Sequence, residues 1–113
     1  MDREDLQQRL NQLVENIGSI KGYTQLMNYS HFESNEQVKE VVYALLQEIG
    51  QIADEIQLEY GNDLEINIDL KSLAAFKNAR FNQEIEMDHH HVWSIIKNDF
   101  TTIGDEIEQS VYY

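Results

Sequence analysis

The strongest constraint on the fold is an apolar repeat that runs without a break from residue 38 to residue 60. Its members recur every three or four positions, the spacing of one face of an α-helix. They are Val38, Val41, Val42, Leu45, Ile49, Ile52, Ile56 and Tyr60, widened by Leu46 and Ala53. Ser34 is the predicted N-cap, because Gln37 follows it at capping-box spacing. Gly61 is predicted to end this helix in the left-handed conformation.

A second repeat predicts an amphipathic helix from Asp5 to Met27. Its apolar members are Leu6, Leu10, Leu13, Val14, Ile17, Ile20 and Met27. Gly18 lies inside this helix at a cost of about 1 kcal/mol relative to Ala, so we interpret it as a close helix crossing. Residues 28–33 are predicted to form a turn.

The second half of the chain predicts two more helices. Asp69 caps one that runs from Leu70 to about Asn82, and Asp88 caps one that runs from His89 to Val111. The apolar stripe of the last helix is Val92, Ile96, Phe100, Ile103, Ile107 and Val111, with Trp93 alongside. Residues 62–69 alternate in polarity, but no second strand is predicted to pair with them. We therefore expect a loop whose Leu64, Ile66 and Ile68 plug the end of the bundle, whereas residues 83–87 either continue the third helix or connect it onward.

Together these elements predict an all-α fold, an up-and-down bundle of four main helices in a single domain spanning residues 1–113. The absence of Cys excludes disulfides and zinc–thiolate sites. No apolar run approaches ~18 residues and the N-terminus is polar, so we expect a cytoplasmic protein without a membrane span.

Charge argues against a general nucleic-acid-binding protein. Eight basic residues against twenty-one acidic ones give a net charge of −13, which repels phosphate backbones and favours a basic protein partner. Half of the basic residues nevertheless fall in one stretch: Lys71, Lys77, Arg80 and Lys97. They are either solvated charges on two helices or a small basic pocket.

The polar residues best suited to chemistry are Lys77, Asn78 and Asn82, which lie just before the run His89, His90 and His91. Three consecutive histidines point in different directions from a helix, and no ligand stands at their i+4 positions. We therefore expect solvated first-turn histidines, with no metal site and no cofactor. Trp93 is predicted to be a core or interface aromatic rather than a base-stacking platform.

Several segments carry a family resemblance. They are Ile49-Gly50-Gln51-Ile52-Ala53, Ile68-Asp69-Leu70-Lys71-Ser72-Leu73, Phe76-Lys77-Asn78, Met87-Asp88 and Val92-Trp93-Ser94-Ile95-Ile96-Lys97-Asn98-Asp99-Phe100. In these segments the chain resembles the HepT-like family of the HEPN superfamily of all-helical ribonucleases, and the register holds without a gap from Ile68 to Phe100.

The resemblance implies a homodimer, a nucleotidyltransferase partner of a toxin–antitoxin module, and metal-independent RNA cleavage by an Arg and a His separated by four residues. Here Lys77 occupies the Arg position, Asn82 the His position, and Asn78 is retained. Glu84 occupies the position of a Tyr that such a partner modifies in some members. An amide cannot accept the 2′-hydroxyl proton near neutral pH, so we expect weak or lost cleavage, with RNA as a partner only if the site is active.

Three functions remain open from the sequence. The first is a toxin–antitoxin-type HepT-like protein with an impaired site, in which one of the three histidines could stand in for the missing imidazole. The second is a non-catalytic module that docks a nucleotidyltransferase-type partner or holds a ligand at a dimer interface. The third is an acidic inhibitor that mimics nucleic acid.

Overall fold

A computed structural model describes residues 3–61, 64–66, 68–78 and 89–110. Within these ranges all regular structure is helical, which confirms the predicted all-α bundle. None of the described helices is both long and apolar enough to cross a membrane.

Helix α1 spans Arg3–Thr24 and packs against the long central helix, α3, which spans Glu36–Tyr60. The buried side chains of α1 are Leu6, Leu10, Leu13, Ile17, Ile20 and Thr24. Among the described residues, none lies within 4 Å of a Cβ added to Gly18, so the predicted close crossing at this position is wrong.

The segment before α3 differs from the prediction. Residues predicted as a turn form helix α2, Tyr29–Ser34, in which Asn28 accepts a hydrogen bond from the His31 amide at 2.9 Å and Phe32 is fully buried. Asn35, not Ser34, caps α3 by accepting a hydrogen bond from the Val38 amide at 3.0 Å. Because Asn and Ser are both strong caps, their adjacency leaves the first residue of α3 ambiguous in the sequence.

Helix α3 ends at the predicted residue, Gly61, but this residue does not adopt the predicted left-handed conformation. Gly61 is right-handed, with φ −48° and ψ −44°, and its amide donates to the Gln57 carbonyl at 3.0 Å. Most members of the apolar repeat are buried in the core, although Val41 is 37% exposed. Tyr43 and Gly50, which lie outside the repeat, are also buried, so α3 packs over a wider arc than one stripe.

Leu64, Ile66 and Ile68 lie outside helices and pack half-buried against the core, as the predicted plug requires. Asp69 then caps helix α4, Leu70–Ala74, by accepting hydrogen bonds from the Ser72 amide at 3.0 Å and the Ser72 hydroxyl at 2.7 Å. These two bonds lower the pKa of the Asp69 carboxyl below its usual value. The chain tightens into a 3₁₀ turn at Ala75–Asn78 rather than continuing as an α-helix.

The last helical rod is continuous over the described residues. It comprises α5 (His89–Ser94), a π-helical turn (Ile95–Asp99) and α6 (Phe100–Glu108). Its buried residues are Val92, Ile96, Phe100 and Ile107. A step of four residues turns an α-helix about 40° further than one full turn, so a stripe made of such steps would drift around the helix. The wider π turn offsets this drift and keeps the stripe on the core. The predicted cap Asp88 lies outside the described residues.

Candidate functional site

The predicted site segment is held against the middle of α3 by a glycine. A Cβ added to Gly50 would lie 2.7 Å from Lys77 Cα and 2.5 Å from the Phe76 carbonyl carbon, and nearer still to the Lys77 amide nitrogen. No side chain fits there, because the obstacle is backbone rather than a movable side chain. Gly50 therefore fixes where the Lys77 backbone lies.

The Lys77 side chain extends toward α3 and meets a carboxylate of that helix. Its Nζ donates a hydrogen bond to Asp54 Oδ2 at 3.2 Å and forms an ion pair with it. Asp54 is one helical turn beyond Gly50, so the two residues share a face of α3. Both partners stay accessible, with the Lys77 side chain 40% and the Asp54 side chain 27% exposed.

The structure describes two of the three predicted site residues. Lys77 and Asn78 follow each other in the 3₁₀ turn, and Asn78 is exposed. Asn82 and Glu84 lie outside the described residues, so the grouping of Lys77, Asn78 and Asn82 stays a prediction.

The three histidines differ in exposure: His89 is half-buried, whereas His90 and His91 are exposed, as expected. His89 Nδ1 is hydrogen-bonded to the Tyr43 hydroxyl of α3. The His90 ring stacks on Tyr29 of α2, with 3.8 Å between centroids and 19° between planes. His91 is exposed, as predicted. The sequence could not show these contacts, because both tyrosines are more than forty residues away.

The Tyr43 bond places His89 far from Lys77. Tyr43 and Asp54 are eleven residues apart on α3, which corresponds to an axial rise of about 16 Å. Tyr43 binds His89, whereas Asp54 binds Lys77. General base catalysis requires hydrogen-bond reach, and these two contacts anchor the His89 ring and the Lys77 ammonium about three helical turns apart along α3.

Trp93 is half-buried and packs in an aromatic cluster, as predicted. Its ring lies 5.1 Å from that of Phe32 and 6.3 Å, edge-on, from that of Tyr29. Lys97 Nζ lies 4.6 Å from the Trp93 ring centroid and donates a hydrogen bond to the Thr24 carbonyl at 2.9 Å. Lys97 therefore joins the last helical rod to the C-terminal end of α1, where a cation is favourable.

A concave groove of about 410 Å³ lies between the α4 segment and the last helical rod, and the sequence analysis did not predict it. Its apolar wall includes Ile68, Leu73, Phe76, Ile95 and Ile103. Asp69, Ser72, His91, Asp99 and Thr102 supply its polar groups. Ile103 was predicted as part of the core stripe, whereas Ile95 lies outside that stripe, and this extra apolar residue was a sequence signal for the groove.

Comparison with known proteins shows which family the chain matches. Residues 13–110 match the model of the family described as ribonuclease HepT-like. One relative from Methanocaldococcus jannaschii, named "Putative RNase MJ1380", is 22% identical over 108 residues, covering 96% of this chain and 98% of its own length. Another, "Putative RNase MJ1216" from the same organism, is 25% identical over 111 residues, covering 98% of this chain and 91% of its own length. No solved structure matches the chain.

Proposed function

Because the chain belongs to the ribonuclease HepT-like family, we propose that it is a toxin–antitoxin-type member whose metal-independent RNA-cleaving site is impaired. The observation that carries the proposal is the state of Lys77. The cation at the position of the family's arginine is held by the Asp54 carboxylate, and His89 is anchored elsewhere on α3.

The missing proton acceptor is the first reason for weak cleavage. Attack by a ribose 2′-hydroxyl needs a group that takes its proton near neutral pH, and the Asn82 amide cannot do so. Loss of general base catalysis lowers a rate by about 10²–10⁴-fold.

The altered cation is the second reason. A lysine keeps the positive charge of an arginine but lacks the planar fork that binds a phosphate through two parallel hydrogen bonds. Lys77 also donates to Asp54 at 3.2 Å, so part of its attraction for a phosphate is already neutralised.

Dimerisation and partner binding are further parts of the proposal. We infer a homodimer and a nucleotidyltransferase-type antitoxin partner, the arrangement implied by the family resemblance. The net charge of −13 supports a partner surface rich in Lys and Arg, because complementary charge steers association.

An RNA-degradation assay on the purified chain, run beside light scattering for the molecular mass, tests this function. The wild-type protein is expected to cut single-stranded RNA no faster than the Asn82→Ala variant, and to have the mass of a dimer. Asn78→Ala serves as a matched amide control, since it removes the neighbouring exposed amide instead. Robust wild-type cleavage that disappears in Asn82→Ala would refute the impaired site.

The apolar groove favours a second candidate, a non-catalytic binding module. A concave surface of about 410 Å³ with an apolar wall and a few polar groups is the usual form of a binding site. If the groove binds the nucleotidyltransferase, Ile103→Glu should weaken capture of that protein at least tenfold. Gln109→Glu, an equal charge change at an exposed residue outside the groove, should leave capture unchanged.

A further inference from the structure

We propose that Asp54 is an internal competitor for RNA phosphate at Lys77, and that their contact sets the RNA affinity of the site. This inference rests on the proposed function insofar as it takes Lys77 to be the phosphate-binding cation. It adds a residue, Asp54, whose part in that site is to occupy the cation.

The geometry limits the choices open to Lys77. Gly50 lets the backbone of Phe76 and Lys77 lie directly against α3, so the lysine side chain begins beside the helix that carries Asp54. The flexible side chain then ends 3.2 Å from Asp54 Oδ2. Gly50 and Asp54 are four residues apart, so one helix face holds the lysine backbone and also supplies its counter-ion.

Neighbouring charges show that this pairing is specific. Glu55, the next residue of α3, directs its carboxylate to Arg9 on α1, with 3.8 Å between Oε2 and Nη1. Asp54 instead faces the 3₁₀ turn and binds Lys77. Consecutive carboxylates thus serve opposite flanks of α3.

Competition follows from tethering. A group fixed in the same molecule acts at an effective concentration of about 1 mM or more, whereas an RNA phosphate arrives from dilute solution. The pair is nevertheless exchangeable, because both side chains are partly solvated and such ion pairs are weak. A phosphodiester must therefore compete with Asp54 for the Lys77 ammonium.

Fluorescence anisotropy of a short labelled oligouridylate at low ionic strength tests the proposal. The probe carries 2′-O-methyl groups, so it cannot be cut and binding is measured separately from cleavage. Asp54→Asn is expected to bind it about two- to fivefold more tightly than wild type. The affinity of the Asp54→Asn variant for the probe should also fall more steeply with salt than that of wild type. The slope of log K against log salt should be steeper by about 0.7, because one more phosphate is contacted.

Two further variants isolate the cause. Glu55→Gln removes the same charge from the adjacent position and should change affinity less than twofold, because Glu55 pairs with Arg9 on α1. Lys77→Ala in the Asp54→Asn background should abolish the gain. An Asp54→Asn protein that binds no more tightly than wild type, including no detectable binding by either, overturns the proposal. A gain that Glu55→Gln reproduces, or that survives Lys77→Ala, overturns it as well.

The same samples separate this inference from the proposed function. Cleavage of unmodified RNA by the wild-type protein would contradict the impaired site. The role of Asp54 would then still be decided by binding of the uncleavable probe. Conversely, unchanged affinity in Asp54→Asn would remove the competitor while leaving absent cleavage explained by Asn82.

Discussion

Helix α3 carries ion pairs on two flanks, and the two cations differ in their exposure to solvent. On the flank toward α1, the Arg9 guanidinium contacts Asp5 at 3.2 Å, Glu59 at 3.3 Å and Glu55 at 3.8 Å, and its side chain is 22% exposed. On the flank toward the 3₁₀ turn, Lys77 pairs with Asp54 at 3.2 Å, and its side chain is 40% exposed.

The difference separates a structural cation from an exchangeable one. Arg9 sits among three carboxylates from two helices, one of which also accepts a hydrogen bond from the Tyr60 hydroxyl at 2.6 Å. An external anion would have to displace that whole network. The Lys77 ammonium lies at the end of a flexible side chain that is 40% exposed, so we expect it to exchange partners more readily than Arg9.

The largest expected effect comes from a substitution that disrupts the flank of α3 facing Lys77. Gly50→Ala places a methyl group into the backbone of Phe76 and Lys77, so it should lower the free energy of unfolding by about 1–3 kcal/mol. Urea denaturation measures it. Gly18→Ala is the matched control, because no described residue lies within 4 Å of its added Cβ and alanine favours the helix by up to about 1 kcal/mol. Equal stability of the two variants would mean that Gly50 does not hold the turn.

A smaller effect compares the two cations directly. Arg9→Met should lower the free energy of unfolding by about 1 kcal/mol, because three carboxylates would then face one another unneutralised. Lys77→Met should lower it by less than about 0.5 kcal/mol, as expected for a solvated pair. Thermal unfolding of both variants checks the order, and a larger loss for Lys77→Met would reverse the assignment of roles.

The smallest expected effect is a pH dependence of stability, which tests the hydrogen bond between Tyr60 and Asp5 on the α1 flank. The hydrogen bond to Asp5 chiefly, with burial, raises the pKa of Tyr60 to about 12 from an ordinary value of 10.0. Because the folded state favours the neutral phenol, its stabilisation is fully present below pH 10 and is lost as pH rises toward about 12. Wild type should therefore lose more stability than Tyr60→Phe between pH 10 and 12 in urea titrations. Parallel losses would contradict the Asp5 bond.

Local patterns predicted the helices, whereas contacts between distant residues built the site. The period of the apolar residues was enough for α1, α3 and the last rod, and Asp69 was recognisable as a cap. Gly18 and Gly50 look alike in sequence, each a glycine inside an apolar helix, but the chain packs closely against Gly50 alone. The Asp54–Lys77 pair joins residues 23 positions apart, and no periodicity could reveal it.

The most direct test of the impaired site is to rebuild it. A Lys77→Arg, Asn82→His double variant restores the guanidinium fork and the proton acceptor, and Lys77→Arg with Asn82→Ala is its control. In a single-turnover RNA cleavage assay at neutral pH, the rebuilt site should cut at least about 10²-fold faster than wild type and the control. Wild-type protein that already cuts as fast as the rebuilt variant would contradict the account.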